Sequence, residues 1–305
     1  MIVTVTLNPS LDYIQFLPVF LNGGLNRCEK ELVRAGGKGI NVSLMLKRLG
    51  TDNVATGFSA GFTGKELVSS MQESGVDCRF VEIEGLTRIN VKIMADIETE
   101  VNGRGPEVSK NDVEKLLDVL HAFSKGDIIV LSGSLAAGLG SETYANMMKV
   151  LSKNGVRFVV DTTGDTLKKA LAYKPFLVKP NNHEISELVG MSANTPEQAV
   201  LCAKKLQEIG AENVLCSLGE TGAVLVTKDG ESHYLAAPKG ELVNSVAAGD
   251  SMIAGFLSEY LKTENFEKAF QKAVACGSAT AFSEWLADKE KIEELSEKIP
   301  DIVRF

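Results

Sequence analysis

The chain has 305 residues, 44% hydrophobic and 24% charged, enough apolar material for one large or two modest cores and too much for wholesale disorder. Its 32 lysines and arginines stand against 40 aspartates and glutamates, a formal net charge of −8 with no basic run, which argues against nucleic acid as a partner.

Short β-branched runs alternate with helix-length amphipathic stretches, the pattern of parallel strands joined by helical crossovers, so the expected class is α/β. In chain order the periodicity predicts a strand over 2–7, a helix over 40–49, a strand over 53–58, helices over 64–74 and 111–123, and a strand over 127–131. A helix over 142–153, strands over 157–160 and 176–178, a helix over 196–209, strands over 213–217 and 223–226, and helices over 251–261 and 266–285 follow. Several strands are apolar nearly throughout, as strands covered on both faces are. Val113, Leu116, Leu117 and Leu120 recur at three and four and make one buried stripe. Ser109, Ser141 and Thr195 mark helix starts, with Pro196 directly after the last. Residues 12–35 and 87–104 break the alternation with strands that lack crossover helices, which predicts a small β excursion outside the main sheet. No solenoid repeat or low-complexity linker divides the chain, so 1–305 is expected to form one domain with a β appendage.

No apolar stretch approaches the roughly 20 residues that cross a bilayer, and the first ten residues carry no basic segment, so no membrane partner and a cytoplasmic location are expected. Five scattered cysteines, an odd number, encode neither a disulfide framework nor a zinc ribbon. His121, His183 and His233 lie far apart; each is expected on the surface or in a loop, with no histidine metal centre.

Four segments carry chemistry. Around Ala247, Ala248, Gly249 and Asp250 small residues lead into a helix, and small side chains leave backbone amides bare. At a helix start those amides and the positive end of the dipole form a site for a phosphate group. Asp250 has two readings here: a helix cap worth about 1 kcal/mol, or a functional acid. Lys179-Pro-Asn-Asn-His-Glu184 follows a strand and sets Asn181 and Glu184 three apart. Ser217-Leu-Gly-Glu-Thr-Gly222 follows another as a glycine-containing turn, and both would lie beyond strand carboxyl ends, where open α/β sheets bind ligands. Ala35-Gly-Gly-Lys-Gly-Ile-Asn41 leads into a helix but is not a Walker A loop, and the dinucleotide fingerprint Gly-x-Gly-x-x-Gly is absent after the first strand.

These segments, in this order, resemble the phosphofructokinase-B branch of the ribokinase-like sugar kinases over essentially the whole chain. Thr4-Val-Thr-Leu-Asn-Pro-Ser-Leu-Asp12, Gly36-Gly-Lys-Gly-Ile-Asn-Val42, Thr87-Arg-Ile-Asn-Val-Lys92, Ser132-Gly-Ser-Leu135 and the Ala-Gly-Asp-Ser turn look like those of bacterial 1-phosphofructokinases and tagatose-6-phosphate kinases. The resemblance implies a three-layer α/β/α fold with a mostly parallel central sheet and a small β lid, built from about 12–35 and 87–104, through which two subunits pair. It implies ATP-dependent phosphorylation of a ketohexose phosphate to a bisphosphate, with fructose 1-phosphate favoured and tagatose 6-phosphate as the alternative; Ala247 in place of the family's usual glycine motivates a further reading, a weakly catalytic sugar-phosphate sensor.

By the same likeness Asp250 is the catalytic base, and the amides of Ala247, Ala248, Gly249 and Asp250 stabilise the transferring group. Asp12, Gly36, Gly37 and Asn41 contact the sugar, while Lys38, Arg88 and Arg27 meet its phosphate. Lys179, Asn181, Ser217, Leu218, Gly219, Glu220, Thr221 and Gly222, with Gly277 and Ser278 on a late helix, surround ATP, and Glu184 helps place Mg2+ through water. The family usually has glycine at the position of Ala247, and alanine does not readily take a positive φ, so a turn that needs one would be distorted.

Overall fold

In the computed structural model, which describes residues 1–305, the first strand β1 (Ile2–Thr6) runs into a small sheet before the chain returns to its main layer. The small sheet's first two strands are β2 (Ser10–Phe16) and β3 (Lys30–Gly36). Helix α1 (Lys38–Arg48), β4 (Asn53–Ala60), α2 (Gly61–Glu73), β5 (Asp77–Cys78) and β6 (Val81–Ile83) follow in the main layer. The chain re-enters the small sheet as β7 (Arg88–Met94) and β8 (Thr99–Asn102), whose order is β3-β2-β7-β8. Its bounds sit close to those expected for the β excursion.

The remainder is α3 (Lys110–Leu120), β9 (Ile128–Ser132), α4 (Thr143–Leu151), β10 (Arg157–Asp161), α5 (Gly164–Leu171), β11 (Leu177–Val178), α6 (Asn182–Val189), α7 (Pro196–Ile209), β12 (Asn213–Ser217), β13 (Ala223–Val226), β14 (Ser232–Leu235), α8 (Ala248–Thr263), α9 (Phe266–Ala281), α10 (Lys289–Glu297) and β15 (Val303–Arg304). The central sheet is ordered β5-β4-β1-β9-β10-β11-β12-β13-β14-β15, with β6 also paired to β4. It is parallel from β5 to β12 and antiparallel beyond.

Alternate residues of each strand feed opposite faces. Val3, Val5, Ile129 and Leu131 pack with α3 to α7, whereas Ile2, Ile128, Val130 and Val159 pack with α1, α2, α8, α9 and α10. The two clusters hold 39 and 38 buried residues, so neither face is left to solvent and the layers are α/β/α. No helix is long and apolar enough to cross a membrane.

Several local expectations need correction. Ser141 caps nothing: α4 starts at Thr143, two residues on, and its flanking Glu142 makes no side-chain cap bond. Ser109 and Thr195 do cap α3 and α7. The periodicity gave no sign of α5, α6 or α10, each only eight or nine residues long, nor of the short strands β14 and β15, of which β15 is the sheet edge. His233 is buried on β14 rather than exposed, while His121 and His183 lie at the surface.

Candidate active site

The sheet reverses its direction of winding at β1, with β4 on one side and β9 on the other. At such a switch point the adjoining crossovers leave in opposite directions, and a crevice opens beyond the carboxyl ends of the strands. Here it is a cleft of about 1090 Å³, reached by Thr6, Gly133, Lys179 and Ser217 at or just past those ends. The small sheet faces it with Asp12, Arg88, Asn90, Lys92, Glu100 and Asn102, and the start of α8 faces it with Ala247, Ala248, Gly249 and Asp250.

At the start of α8 the residue flanking the helix is Ala247, with φ 63 and ψ 1. The turn therefore does need the left-handed conformation, and alanine adopts it, at a cost of roughly 1–2 kcal/mol from Cβ crowding. The amides of Ala247, Gly249 and Asp250 have no backbone partner, whereas the Ala248 N–H donates to Ser245 O at 3.3 Å. Three open donors remain where four residues were expected to contribute. Lys179 Nζ lies 2.8 Å from where a Cβ on Gly249 would stand, so a larger residue there would push the lysine aside.

Asp250 is not the helix cap. It sits in the first turn, buried, and its Oδ2 accepts a 2.8 Å hydrogen bond from Asn41 Nδ2. Burial pushes its carboxyl up to about 6, the nearby Asp161 carboxylate adds to the rise, and Asn41, Lys38 and Lys179 oppose it. A carboxylate so placed ionises near neutral pH and can take a proton from an alcohol.

Asp12, on β2, accepts from Ser10 Oγ at 2.8 Å and Asn90 Nδ2 at 3.0 Å, with Lys92 Nζ 3.8 Å away. Gly36 pairs across from Ser10, and a Cβ there would stand 2.7 Å from the Asp12 carboxyl. Arg88 donates from Nε to Asn8 O at 3.2 Å and from Nη1 to Gly103 O at 3.4 Å, leaving Nη2 unengaged; burial lowers its pKa, with Asp12 opposing. Gly37 and Lys38 also line the cleft. Lys38 pairs with Asp161 at 3.1 Å; burial works against its charge, yet Asp161, Asp250 and Glu184 hold its pKa above the ordinary value.

On the other side lie Lys179, Asn181, Glu184, Ser217, Gly219, Glu220, Gly222, Gly277 and Ser278. The three-residue spacing of Asn181 and Glu184 makes a capping box: Asn181 Oδ1 accepts from the amides of His183 and Glu184, and Glu184 Oε2 accepts from the Asn181 amide. Glu184 Oε1 has no protein partner.

Four expected residues fall elsewhere, Gly36 among them: it packs against the Asp12 carboxyl without lining the cleft. Arg27 is exposed in the loop between β2 and β3 and does not line the cleft of its own chain. Leu218 turns into the core, because the apolar residue after β12 finds hydrophobic partners there, and Thr221 lies outside the lining, its carbonyl accepting from Tyr234 Oη. Sequence reasoning missed Asp161, buried at the end of β10 between Lys38 and Lys179, and the lid residues Asn90, Lys92 and Glu100. An acid closing the apolar run Phe158-Val-Val-Asp161 was the available signal for the first.

A near-neutral carboxylate beside open main-chain donors, facing lysines across a cleft at a switch point, defines a phosphotransferase acting on an alcohol group. The sequence pattern of the "pfkB family carbohydrate kinase" matches residues 6–290, and the chain belongs to that family. The 1-phosphofructokinase of Bacillus subtilis (strain 168) is 46% identical over 296 residues, 97% of each chain. The D-tagatose-1-phosphate kinase of Bacillus licheniformis is 34% identical over 98% of each chain. Phosphofructokinase-2 from Escherichia coli in complex with fructose-6-phosphate superposes with a TM-score of 0.90 at 29% identity, over 97% of this chain and 98% of that one. Membership of a kinase family implies ATP as the phosphoryl donor.

Proposed function

We propose that the protein phosphorylates a ketohexose phosphate to a bisphosphate with ATP, fructose 1-phosphate being the preferred acceptor and tagatose 6-phosphate the second. The observation that carries this reading is the position of Asp250, one oxygen held by Asn41 and the other without a protein partner, beside the open amides of Gly249 and itself. The preference for fructose 1-phosphate is supported by the relative named 1-phosphofructokinase at 46% identity.

In this reading the acceptor hydroxyl gives its proton to Asp250 as its oxygen bonds to the γ-phosphorus of ATP. The bond from that phosphorus to the β–γ bridging oxygen breaks, and ADP leaves with the electron pair. General-base help of this kind is typically worth 10² to 10⁴ in rate, and phosphoryl transfer otherwise depends on alignment and charge neutralisation. The amides at the start of α8 and the ammonium groups of Lys38 and Lys179 supply that neutralisation. Asp12 orients sugar hydroxyls, and the free Nη2 of Arg88 receives the phosphate the substrate already carries.

Mg2+ would neutralise charge on the ATP phosphates. No cluster of three ligating side chains exists for it, which suits an ion that keeps most of its waters; Glu184, with Oε1 free, would hold one such water. The cradle keeps its open amides with alanine at position 247, which supports turnover over a sensor role.

Pairing of two chains through the lid is supported by its outer face. Tyr13, Val33, Val91 and Val101 form one register row, alternating with the row of Asp12, Arg34, Asn90 and Asn102; Val33 is 56% and Val101 60% exposed. Light scattering of Val33→Lys against the unaltered chain tests it, a dimer giving way to a monomer.

A coupled ADP-release assay across fructose 1-phosphate, fructose 6-phosphate and tagatose 6-phosphate tests the activity. The highest kcat/KM is expected with fructose 1-phosphate, and no turnover with any of the three at saturating ATP rejects the kinase reading.

A further inference from the structure

Thr6, Ser132 and Asp161 end three neighbouring parallel strands in one register row, all on the face covered by α1. Of the three only Asp161 bears a carboxyl group, and its side chain is 1% exposed. A carboxylate so deeply buried is costly unless its partners are good. Its partners are two lysines from separate elements: Lys38 at the start of α1, 3.1 Å from Oδ1, and Lys179 after β11, 3.7 Å from the same oxygen. Oδ2 has no hydrogen-bond partner at all. One anion thus holds two cations side by side, and it does so with one oxygen.

Both lysines line the cleft, and Lys179 Nζ stands 2.8 Å from where a Cβ on Gly249 would be, beside the cradle. Without a shared counter-charge, two ammonium groups on one carboxylate oxygen would repel each other and swing toward solvent; Lys38, about a third exposed, has room to do so. We propose that Asp161 is a positioning residue for phosphoryl transfer, anchoring Lys38 and Lys179 on the path between the cradle and the acceptor hydroxyl. The proposal rests on the kinase reading above for the path, and on geometry alone for the anchor.

A second consequence concerns Asp250. The groups facing it are Asp161 from β10, Lys38 and Asn41 from α1, and Lys179 from the segment after β11. Asp161 makes the proton harder to lose, and the lysines make it easier. With all four ionised the charges of Asp161, Asp250, Lys38 and Lys179 cancel. The anchor therefore keeps the base from becoming too weak as well as keeping the cations in place.

Two variants of opposite charge effect test this. In Asp161→Asn the Asp250 carboxyl titrates at lower pH than in the unaltered protein, and in Lys38→Met at higher pH. Carboxyl 13C NMR on the free protein measures both without requiring turnover. The acid limb of kcat/KM moves in the same directions, and kcat of Asp161→Asn falls about 10²-fold, the effect of misplacing groups by about an ångström, while KM for the sugar phosphate stays within a few-fold. Titration midpoints unmoved in both variants, with only a lower melting temperature, would show that Asp161 merely supports the fold and would overturn the proposal. Shifted midpoints with kcat unchanged would overturn the anchoring of the lysines. An unaltered protein that turns over no ketohexose phosphate rejects the kinase reading instead, a result the NMR titration does not depend on.

Discussion

The side-chain amide of Asn41 donates to Oδ2 of Asp250 at 2.8 Å across the interface between α1 and α8, although the two residues are 209 positions apart in the chain. That bond fixes the carboxylate with Oδ1 free, and it joins the helix that begins beneath the sugar side to the helix that begins at the cradle. Asp250→Asn keeps the size of the side chain and an acceptor for Asn41, so folding and sugar-phosphate binding are retained. Loss of the base is expected to lower kcat by about 10² to 10⁴. A melting temperature reduced with kcat intact would assign Asp250 a structural role, which the cap geometry, centred on Ala247, already disfavours.

Acidity should separate activity from stability in opposite senses. Asp250 must be ionised to act as a base, so kcat/KM falls as the pH drops through about 6. For folding, a carboxyl whose pKa is raised above its unfolded value contributes stability that is fully present below the ordinary carboxylate range and lost as the pH rises through about 6. Asp250→Asn, neutral throughout, is expected to melt higher than the unaltered protein at pH 8 and to have no such advantage at pH 4. Calorimetry at the two pH values checks the sign.

Arg88 is held by two carbonyls, with one guanidinium nitrogen left over. A contact made equally in ground and transition states shows in KM and not in kcat. Arg88→Ala is expected to raise KM for the sugar phosphate about 10- to 10²-fold, the worth of one charged hydrogen bond, with kcat changed much less. Equal KM values would remove Arg88 from substrate binding.

Much of this architecture was legible because its determinants are local. Apolar strands such as 128–132 and the small-residue run before Asp250 declare themselves in a few residues. Asp161 did not, since one acid at a strand end reads as an ordinary loop residue until β10 is set beside α1. Arg27 shows the converse: a basic residue near a recognised segment lies exposed in the loop between β2 and β3, outside the cleft of its own chain. The Asn181 and Glu184 spacing was visible, but its use as a capping box depended on α6, whose eight residues were too few to show a period.

Ala247 carries a methyl group in a left-handed turn, φ 63. Ala247→Gly removes the crowding and is expected to stabilise the fold by about 1 kcal/mol, which raises the melting temperature by about 2 °C for a chain of this size. The cradle amides already have their geometry, so kcat should change by no more than about twofold. A gain of 10²-fold or more would show that the alanine had distorted the cradle, and would favour the sensor reading of the unaltered chain.

Trp285, the single tryptophan, lies between two guanidinium groups: Arg34 Cζ is 4.9 Å and Arg48 Cζ 5.1 Å from the ring centroid. Arg34 belongs to lid strand β3 and Arg48 to the end of α1, so the ring ties the lid to the body. The neighbouring Glu284 carbonyl accepts from Asn244 Nδ2, and Asn244 Oδ1 accepts from the Val246 amide, which leads directly into the cradle. A sugar phosphate that draws the lid inward must shift Arg34 against the indole, whereas a nucleotide bound by the body alone leaves it in place. Saturating fructose 1-phosphate is therefore expected to change Trp285 emission, and a non-hydrolysable ATP analogue to change it little. Arg34→Met should abolish most of that signal and raise KM for the sugar phosphate about two- to tenfold, the range set by one cation–π contact. Emission unaltered by the sugar phosphate would mean that the lid does not move at this strand.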